Sequence, residues 1–455
     1  MREPQPFSGE TYALHCDEYE LTMAQSFLHH RETDDAAFEL TVRSLPPQRG
    51  YLVAAGLEQA LAYLRRLRFS EDDLIFLAKT GLFSEDFLTH LQTLRFAGDV
   101  DALAEGTVIG AGAPLLRITA PRVQATLVES ALLAIVGHQT LIASKVTRIV
   151  DAAAGRPVFD FSLRRLHGPD AALGVARAAY LAGAAGTATV AAGACLGIPT
   201  TGTMAHHYVV SFGADGEQPG FEQFLRDYPE RGILLVDTYD TLRGVERAIA
   251  ASRATGVALA GIRLDSGDIG ALARAARRLL DDAGMRQARI VASGDLDEWK
   301  ISALLESGAP LDAFGVGTML GTSADAPHLG AIYKLVAQCE QGRMVPVMKT
   351  SEDKRGDPGM HQVFRTEAGD TLALSTETMP GQALLQPVIR HGEMCLDLPS
   401  LEQIAAYCRD QRALLPEAVR RIADPEPWEV RRTPALEALR RRVAAGLRRP
   451  GVLAG

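Results

Sequence analysis

Pro157-Val158-Phe159-Asp160-Phe161-Ser162-Leu163-Arg164-Arg165-Leu166-His167-Gly168 opens the part of the chain that decides the fold. A short apolar run breaks into a polar, arginine-bearing cluster, and the layout then recurs. Apolar runs end at Asp160-Phe161-Ser162, Thr201-Gly202-Thr203, Val236-Asp237-Thr238, Leu264-Asp265-Ser266-Gly267-Asp268, Ala292-Ser293-Gly294-Asp295 and Gly315-Val316-Gly317-Thr318, with helical stretches between them. Six such units predict an α/β fold with a parallel sheet, because parallel neighbours need long, usually helical crossovers. Polar groups at the C-terminal ends of strands mark the ligand-binding edge of barrels and of doubly wound sheets alike. Here a cluster follows every run instead of gathering at one switch point. The expectation is therefore a TIM-like α/β barrel, irregular and incomplete because six or seven units are visible and not eight.

Working outward, the chain has 455 residues, enough for two or three domains, and 47% hydrophobic with 23% charged residues suits a globular protein. A net charge of −9 argues against a nucleic-acid coat or a polybasic membrane binder. Five scattered cysteines with no C-x-x-C spacing read as reduced thiols of a cytoplasmic protein. Met1-Arg2-Glu3-Pro4 lacks the apolar core of a signal peptide, and Val123 to Val136 contains Glu129 and is too short to span a bilayer.

Before the repeated units, Asp17 to His30 reads as a helix with Tyr19, Met23 and Phe27 spaced to face the core. Ala36 to Arg43 reads as a strand, Ala54 to Leu67 as a helix, and Ser70 and Ser84 as caps of two more. Pro121 to Ala154 is the longest helical pattern, with Pro121 suited to its first turn and Lys145 and Arg148 closing it. After Ser323 the pattern is lost apart from two strands, Ala331 to Gln338 and Met344 to Met348, and helices at Leu398 to Arg412 and Pro434 to Arg449. Ser351 to Met360 reads as a mobile loop. The expected organisation is an N-terminal α/β domain over 1–150 that ends in a bridging helix, a barrel over 151–325, and a segment 326–455 that packs back on the first domain, since two strands cannot bury themselves alone.

The clusters carry chemistry. Arg164 and Arg165 offer two planar forks for phosphate oxygens. Ser293-Gly294 and Gly315-Val316-Gly317-Thr318 end the last two runs, where a close backbone and free N–H groups suit a phosphate, although tight turns explain them too. Arg263 and Asp265, two apart, face one side, either as a salt bridge or around a ligand. Asp265 and Asp268 are either surface carboxylates or holders of Mg²⁺ opposite a polyphosphate. His206 and His207 point to different faces. They lack the spacing of a metal site, and the residues alone leave a structural histidine and a phosphoryl acceptor both open.

Six segments together resemble the nicotinate phosphoribosyltransferase family, over nearly the whole chain and in the family's order. They are Tyr19-Glu20-Leu21-Thr22-Met23, Phe38-Glu39-Leu40 with Arg43-Ser44-Leu45-Pro46, Phe161-Ser162-Leu163-Arg164-Arg165, Gly202-Thr203-Met204-Ala205-His206, Gly261 to Asp268, and Gly315 to Thr318. The resemblance implies an irregular barrel beside an α/β domain built from both ends of the chain, in a homodimer whose active sites draw on both copies. It implies that nicotinate and phosphoribosyl pyrophosphate (PRPP) give nicotinate mononucleotide and pyrophosphate in NAD biosynthesis and salvage. ATP hydrolysis drives this through a phosphohistidine, with Mg²⁺ present. Carried over by motif, His206 matches the phosphorylated residue, Tyr19, Thr203 and Arg263 the nicotinate pocket, Arg165 a PRPP contact, and Thr318 with Gly294, Gly315 and Gly317 the 5-phosphate site. Ala292-Ser293-Gly294-Asp295 lies where the family varies. A nicotinamide phosphoribosyltransferase matches less well at Gly202 to His206 and Gly261 to Asp268. A sugar-phosphate isomerase or aldolase would want a catalytic Lys or Glu at a strand end, and none stands there. A non-catalytic metabolite-binding regulator would not need Arg165, His206, Arg263 and Thr318 intact.

Overall fold

The computed structural model describes residues 13–30, 34–213, 215–349, 356–367 and 369–447. Met1 to Pro4 and the Ser351 to Arg355 part of the expected mobile loop lie outside them. The chain divides into two units, residues 1–143 with 328–455, and residues 144–327.

The first unit is built on an antiparallel sheet whose strands come from both ends of the chain. Strand Asp35–Val42 is central, with Pro114–Pro121 antiparallel on one side and Ala331–Glu340 antiparallel on the other. Asp99–Leu103 joins Pro114–Pro121, and Leu385–Arg390 continues the sheet beyond it. Strand Asp35–Val42 is buried on both faces, Glu39 included. A second sheet pairs His361–Thr366 with Gly369–Leu374. Sequence reading found no strands there. The apolar residues are interrupted by Gln362, Arg365 and Asp370, and the last two satisfy each other at 2.6–2.7 Å in a largely buried pair.

Two helix expectations need correction. Pro121 ends a strand and precedes the helix Arg122–Leu127, and a break at Val128 separates that helix from Glu129–Ala152. Lys145 and Arg148 therefore lie inside a helix. There they are buried against Glu298 at 2.5 and 2.9 Å, and Lys145 also meets Asp325 at 2.8 Å. In the helix Glu18–His29 the buried residues are Glu20, Leu21 and Ala24, whereas Tyr19 and Met23 are exposed. Glu20 turns inward, where Ser130 bonds its Oε1 through both N–H and hydroxyl, a buried polar contact that outweighs the aromatic spacing even though Oε2 is buried without a hydrogen-bond partner. The Ser70 and Ser84 caps form, Ser70 in a full capping box.

The second unit holds six parallel strands, in the spatial order Gly186–Thr187, Val158–Asp160, Ala313–Val316, Arg289–Ala292, Gly261–Leu264, Ile233–Leu235. The last strand in sequence pairs with the first, which is the circular order of a barrel. Among the described residues the ladder is open between Gly186–Thr187 and Ile233–Leu235. The run ending at Thr201 is not a strand, since only Thr200 bridges to Thr187. The true second strand is the two-residue Gly186–Thr187, too short and too alanine-flanked to carry a period.

Candidate active site

Because the six strands run parallel, their C-terminal ends share one edge. Four of those ends supply groups that meet. Arg263, buried at the end of its strand, donates from Nη2 to the Met204 carbonyl at 2.6 Å, and from Nη1 to Ser293 Oγ at 3.3 Å and Asp265 Oδ1 at 3.4 Å. The Ser293 hydroxyl donates to the same Asp265 oxygen at 2.5 Å. Burial pushes the Arg263 guanidinium below its usual range, while Asp265 and Asp237 pull the other way. Asp237 accepts from the Asp265 N–H at 3.1 Å and from the Ser266 hydroxyl at 2.6 Å, both on Oδ2. Its other oxygen, Oδ1, is buried with no hydrogen-bond partner.

His206 opens the short helix His206–Val210. Its Nδ1 lies 3.3 Å from Thr238 Oγ1, and its Nε2 lies 3.7 Å from Asp265 Oδ2 and 3.9 Å from Asp237 Oδ1. The adjacent His207 lines a different cavity, as the divergence of neighbouring helical positions requires. A cleft of about 350 Å³ lies beside this cluster, walled by Phe161, Leu163, Arg164, Thr203, Met204 and Arg263. That is within the range of small-molecule sites. Thr203 Oγ1 and Arg263 Nε are buried there without partners, so the cleft holds two unsatisfied polar atoms. On the far side of the strip Gly202–Ala205, a cavity of about 460 Å³ is lined by His207, Tyr208, Phe224, Tyr228 and Arg231.

Of the residues singled out from sequence, His206, Thr203, Arg263, Asp265, Ser293 and Arg164 are thus brought together. Arg165 is exposed next to Arg164 in a 3₁₀ turn. Tyr19 belongs to the other unit, where its hydroxyl bonds Glu129. Asp268 caps the helix Ile269–Asp282, accepting from Ala271 N–H at 3.0 Å, so half of its carboxylate is spoken for. Gly294 is explained by packing: at φ +88°, an added Cβ would lie 1.8 Å from the Asp265 carbonyl oxygen. At Gly315 it would lie 2.4 Å from the Phe161 ring, so this glycine seats the ring that walls the cleft. Thr318 follows Gly317 at the start of the short helix Thr318–Gly321. Asp237 and Thr238 were not among the sequence candidates. The available signal was their place after an apolar run, the same position that Asp265 occupies.

The first unit carries a separate cationic cavity of about 100 Å³, lined by Glu39, Arg43, Lys334, Asp357, His361 and Arg432 among others. Desolvation and the neighbouring Arg43 push Lys334 below the usual ammonium range.

Three family models match the chain: the nicotinate phosphoribosyltransferase (NAPRTase) N-terminal domain over residues 14–137, the NAPRTase family over 157–379, and the nicotinate phosphoribosyltransferase C-terminal domain over 331–440. Nicotinate phosphoribosyltransferase pncB2 of Mycobacterium tuberculosis is 46% identical over 420 residues, covering 90% of this chain and 89% of its own. The nicotinate phosphoribosyltransferase of Bacillus subtilis is 37% identical over 463 residues, covering 93% of each. The crystal structure of the human nicotinic acid phosphoribosyltransferase superposes with a TM-score of 0.82 at 26% identity, covering 94% of this chain and 99% of that one. With coverage of this extent and identity well above 30%, the chain belongs to the nicotinate phosphoribosyltransferase family.

Proposed function

We propose that the chain joins nicotinate to PRPP, giving nicotinate mononucleotide and pyrophosphate, and that ATP is hydrolysed through a phosphohistidine at His206. The observation that carries this reading is the meeting of His206 with Asp237 and Asp265 beside a cleft that holds an unsatisfied hydroxyl and a buried guanidinium. In the reaction the C1–O bond to pyrophosphate breaks with oxocarbenium-like character, and the pyridine nitrogen forms the new bond to C1. Such chemistry asks mainly for positioning and for stabilisation of the leaving group.

Thr203 and Arg263 are assigned to nicotinate, which would satisfy Thr203 Oγ1 and Arg263 Nε. Arg164 and Arg165 are assigned to the diphosphate of PRPP, and Ser293, Gly294, Gly315, Gly317 and Thr318 to its 5-phosphate. Tyr19 is exposed on a helix with an uncovered aromatic side. We assign it to the nicotinate pocket of a second copy, in a homodimer with shared active sites. For phosphoryl transfer, Nδ1–H of His206 donates to Thr238 and Nε2 attacks the γ-phosphorus of ATP, expelling ADP. The adjacent carboxylates stabilise the positive charge that develops on the ring. Mg²⁺ fits the unpartnered Asp237 Oδ1 and the Asp265 Oδ2, while Asp268 has one oxygen already taken by its helix cap. Bound there, the cation would neutralise phosphate charge. Among the described residues no helix is long and apolar enough to cross a membrane; the cytoplasmic setting is part of the same proposal. The test is product formation from nicotinate and from nicotinamide with PRPP, each with and without ATP. Activity confined to nicotinamide would overturn the assignment.

A further inference from the structure

His361 opens the strand His361–Thr366 and is buried at 2% exposure. Its backbone N–H donates to Glu39 Oε1 at 2.8 Å and its Nδ1 lies 2.6 Å from Glu39 Oε2. The ring lines the cationic cavity, and its other nitrogen, Nε2, is buried without a hydrogen-bond partner. An orphaned buried polar atom costs free energy on the order of 1–3 kcal/mol unless something meets it. Arg43, Lys334 and Arg432 line the same cavity against two carboxylates, Glu39, which holds His361, and Asp357, which pairs with Arg432 at 3.0 Å.

We propose that His361 is a further anion-binding residue, donating from Nε2–H to an oxyanion held by Arg43 and Lys334, so that the cavity takes up its anion together with a proton.

The carboxylates near the ring favour its protonated form, and Arg117 opposes it. Glu39, buried on the next sheet, needs a positive partner and holds Nδ1 as the donor. Arg117 stands behind, 3.7 Å from Glu39, with its Nη1 on the His361 carbonyl at 2.6 Å and its Nη2 on Asp101 at 2.8 Å. The ring is pulled two ways: burial pushes His361 down, while Glu39 and then Asp357 lift it, against Arg117, to a net rise above the usual imidazole range. Arg43 and, more weakly, Lys349 repel Lys334 while Asp357 pulls the other way, and a multivalent anion relieves the repulsion. Nε2–H would be the donor a neutral ring of this tautomer lacks. Linkage fixes the sign. Anion affinity is full below the pKa of the ring in the free protein and levels off at its lowest above the higher pKa of the ring in the bound state. It weakens up to about tenfold per pH unit as pH rises above the raised value in the free protein.

The inference rests on reading the cavity as an anion site, and the experiment separates the two. Binding of sulfate, which does not titrate in this range, is measured by calorimetry on the full chain from pH 6 to 9 in two buffers of different ionisation enthalpy. Wild type should take up close to one proton per sulfate at the alkaline end and lose at least tenfold in affinity across the range. His361→Gln should bind more weakly at pH 6 and show a pH profile shallower by about one proton. Arg43→Ala should weaken sulfate at every pH without changing the slope. Parallel profiles for wild type and His361→Gln, with Arg43→Ala weakened, overturn the proton link and leave the anion site standing. Undiminished sulfate affinity in Arg43→Ala overturns the anion site itself. Should His361→Gln fold poorly, an NMR titration of the wild-type His361 ring replaces it. Its pKa must rise when sulfate is added, and an unmoved pKa refutes the proposal.

Discussion

Arg263 Nη2 donates to the carbonyl oxygen of Met204 at 2.6 Å, so one buried guanidinium holds the strand end that bears Asp265 and the strip that leads into His206. Arg263→Ala removes a charge from the cleft and a tether from that strip. Loss of a charge-assisted buried pair costs about 2–5 kcal/mol, and the KM for nicotinate should rise at least tenfold. The rate of phosphorylation from ATP should fall as well, because His206 loses its fixed approach. Steady-state kinetics with varied nicotinate checks the first effect. An unchanged KM would remove Arg263 from the nicotinate pocket.

The two histidines separate cleanly. His206→Asn should abolish acid-labile, base-stable label from radiolabelled ATP and leave at most slow, ATP-independent synthesis. His207→Asn should keep the label, since His207 lines the other cavity. Label retained on histidine in His206→Asn transfers the role to His207.

Gly294 tests packing against ligand approach. An alanine there meets the Asp265 carbonyl oxygen at 1.8 Å and sits at φ +88°. Overpacking and backbone strain of this kind cost on the order of 1–3 kcal/mol or more. Gly294→Ala should lower the melting temperature by several degrees and weaken both substrates through displaced Asp265. At Gly317 the nearest atom to an added Cβ, the Phe161 carbonyl oxygen, is 3.2 Å away, so Gly317→Ala should weaken PRPP more than nicotinate at a smaller cost in stability. The reverse ranking in a thermal-shift assay would be incompatible with these contacts.

The carboxyl of Glu129 is pushed up to about 7 from the usual 4.5, first by burial and then by Glu20. A carboxyl raised on folding holds an extra proton in the native state between those values. The associated stability is whole below about pH 4.5 and gone above about 7. Thermal stability should therefore fall as pH rises through that window. Glu129→Gln should flatten the slope, leaving the part due to Glu20, which burial also raises. A mutant slope as steep as wild type would assign the proton elsewhere.

What the sequence disclosed and concealed follows from the range of the interactions involved. Strand ends are local events, so Asp160, Asp265, Ser293 and Gly317 could be placed at them by an apolar run breaking into polar residues. The pairing of Arg263 with Asp265 was equally legible, because an i, i+2 spacing puts both on one side. Arg263 on Met204 was not, since it spans 59 positions and depends on how an irregular strip returns. Asp237 went unassigned because a single carboxylate after a strand has no pattern of its own. Its role emerges only from its nearness to His206. Tyr19, Met23 and Phe27 have the spacing of a core face, yet Glu20 occupies the buried side because Ser130 waits for it there. The strands from His361 onward stayed hidden because polar residues interrupt their apolar runs, and Gln362 and Arg365 find partners as far off as Leu385 and Gln411.

The sheet of the first unit also sets an order of assembly during synthesis. Strand Asp35–Val42 has its second neighbour in Ala331–Glu340, so one edge of the earliest strand stays unpaired until nearly three-quarters of the chain has been made. Residues 144–327 are contiguous and find their own partners as they emerge. At roughly 5–20 residues per second, the N-terminal segment waits on the order of fifteen to sixty seconds with an open edge, while the unit encoded in the middle of the message closes first. Nascent chains stalled before residue 331 should thus be the ones that engage chaperones, and a slow stretch of codons there would harm yield without touching a single active-site residue.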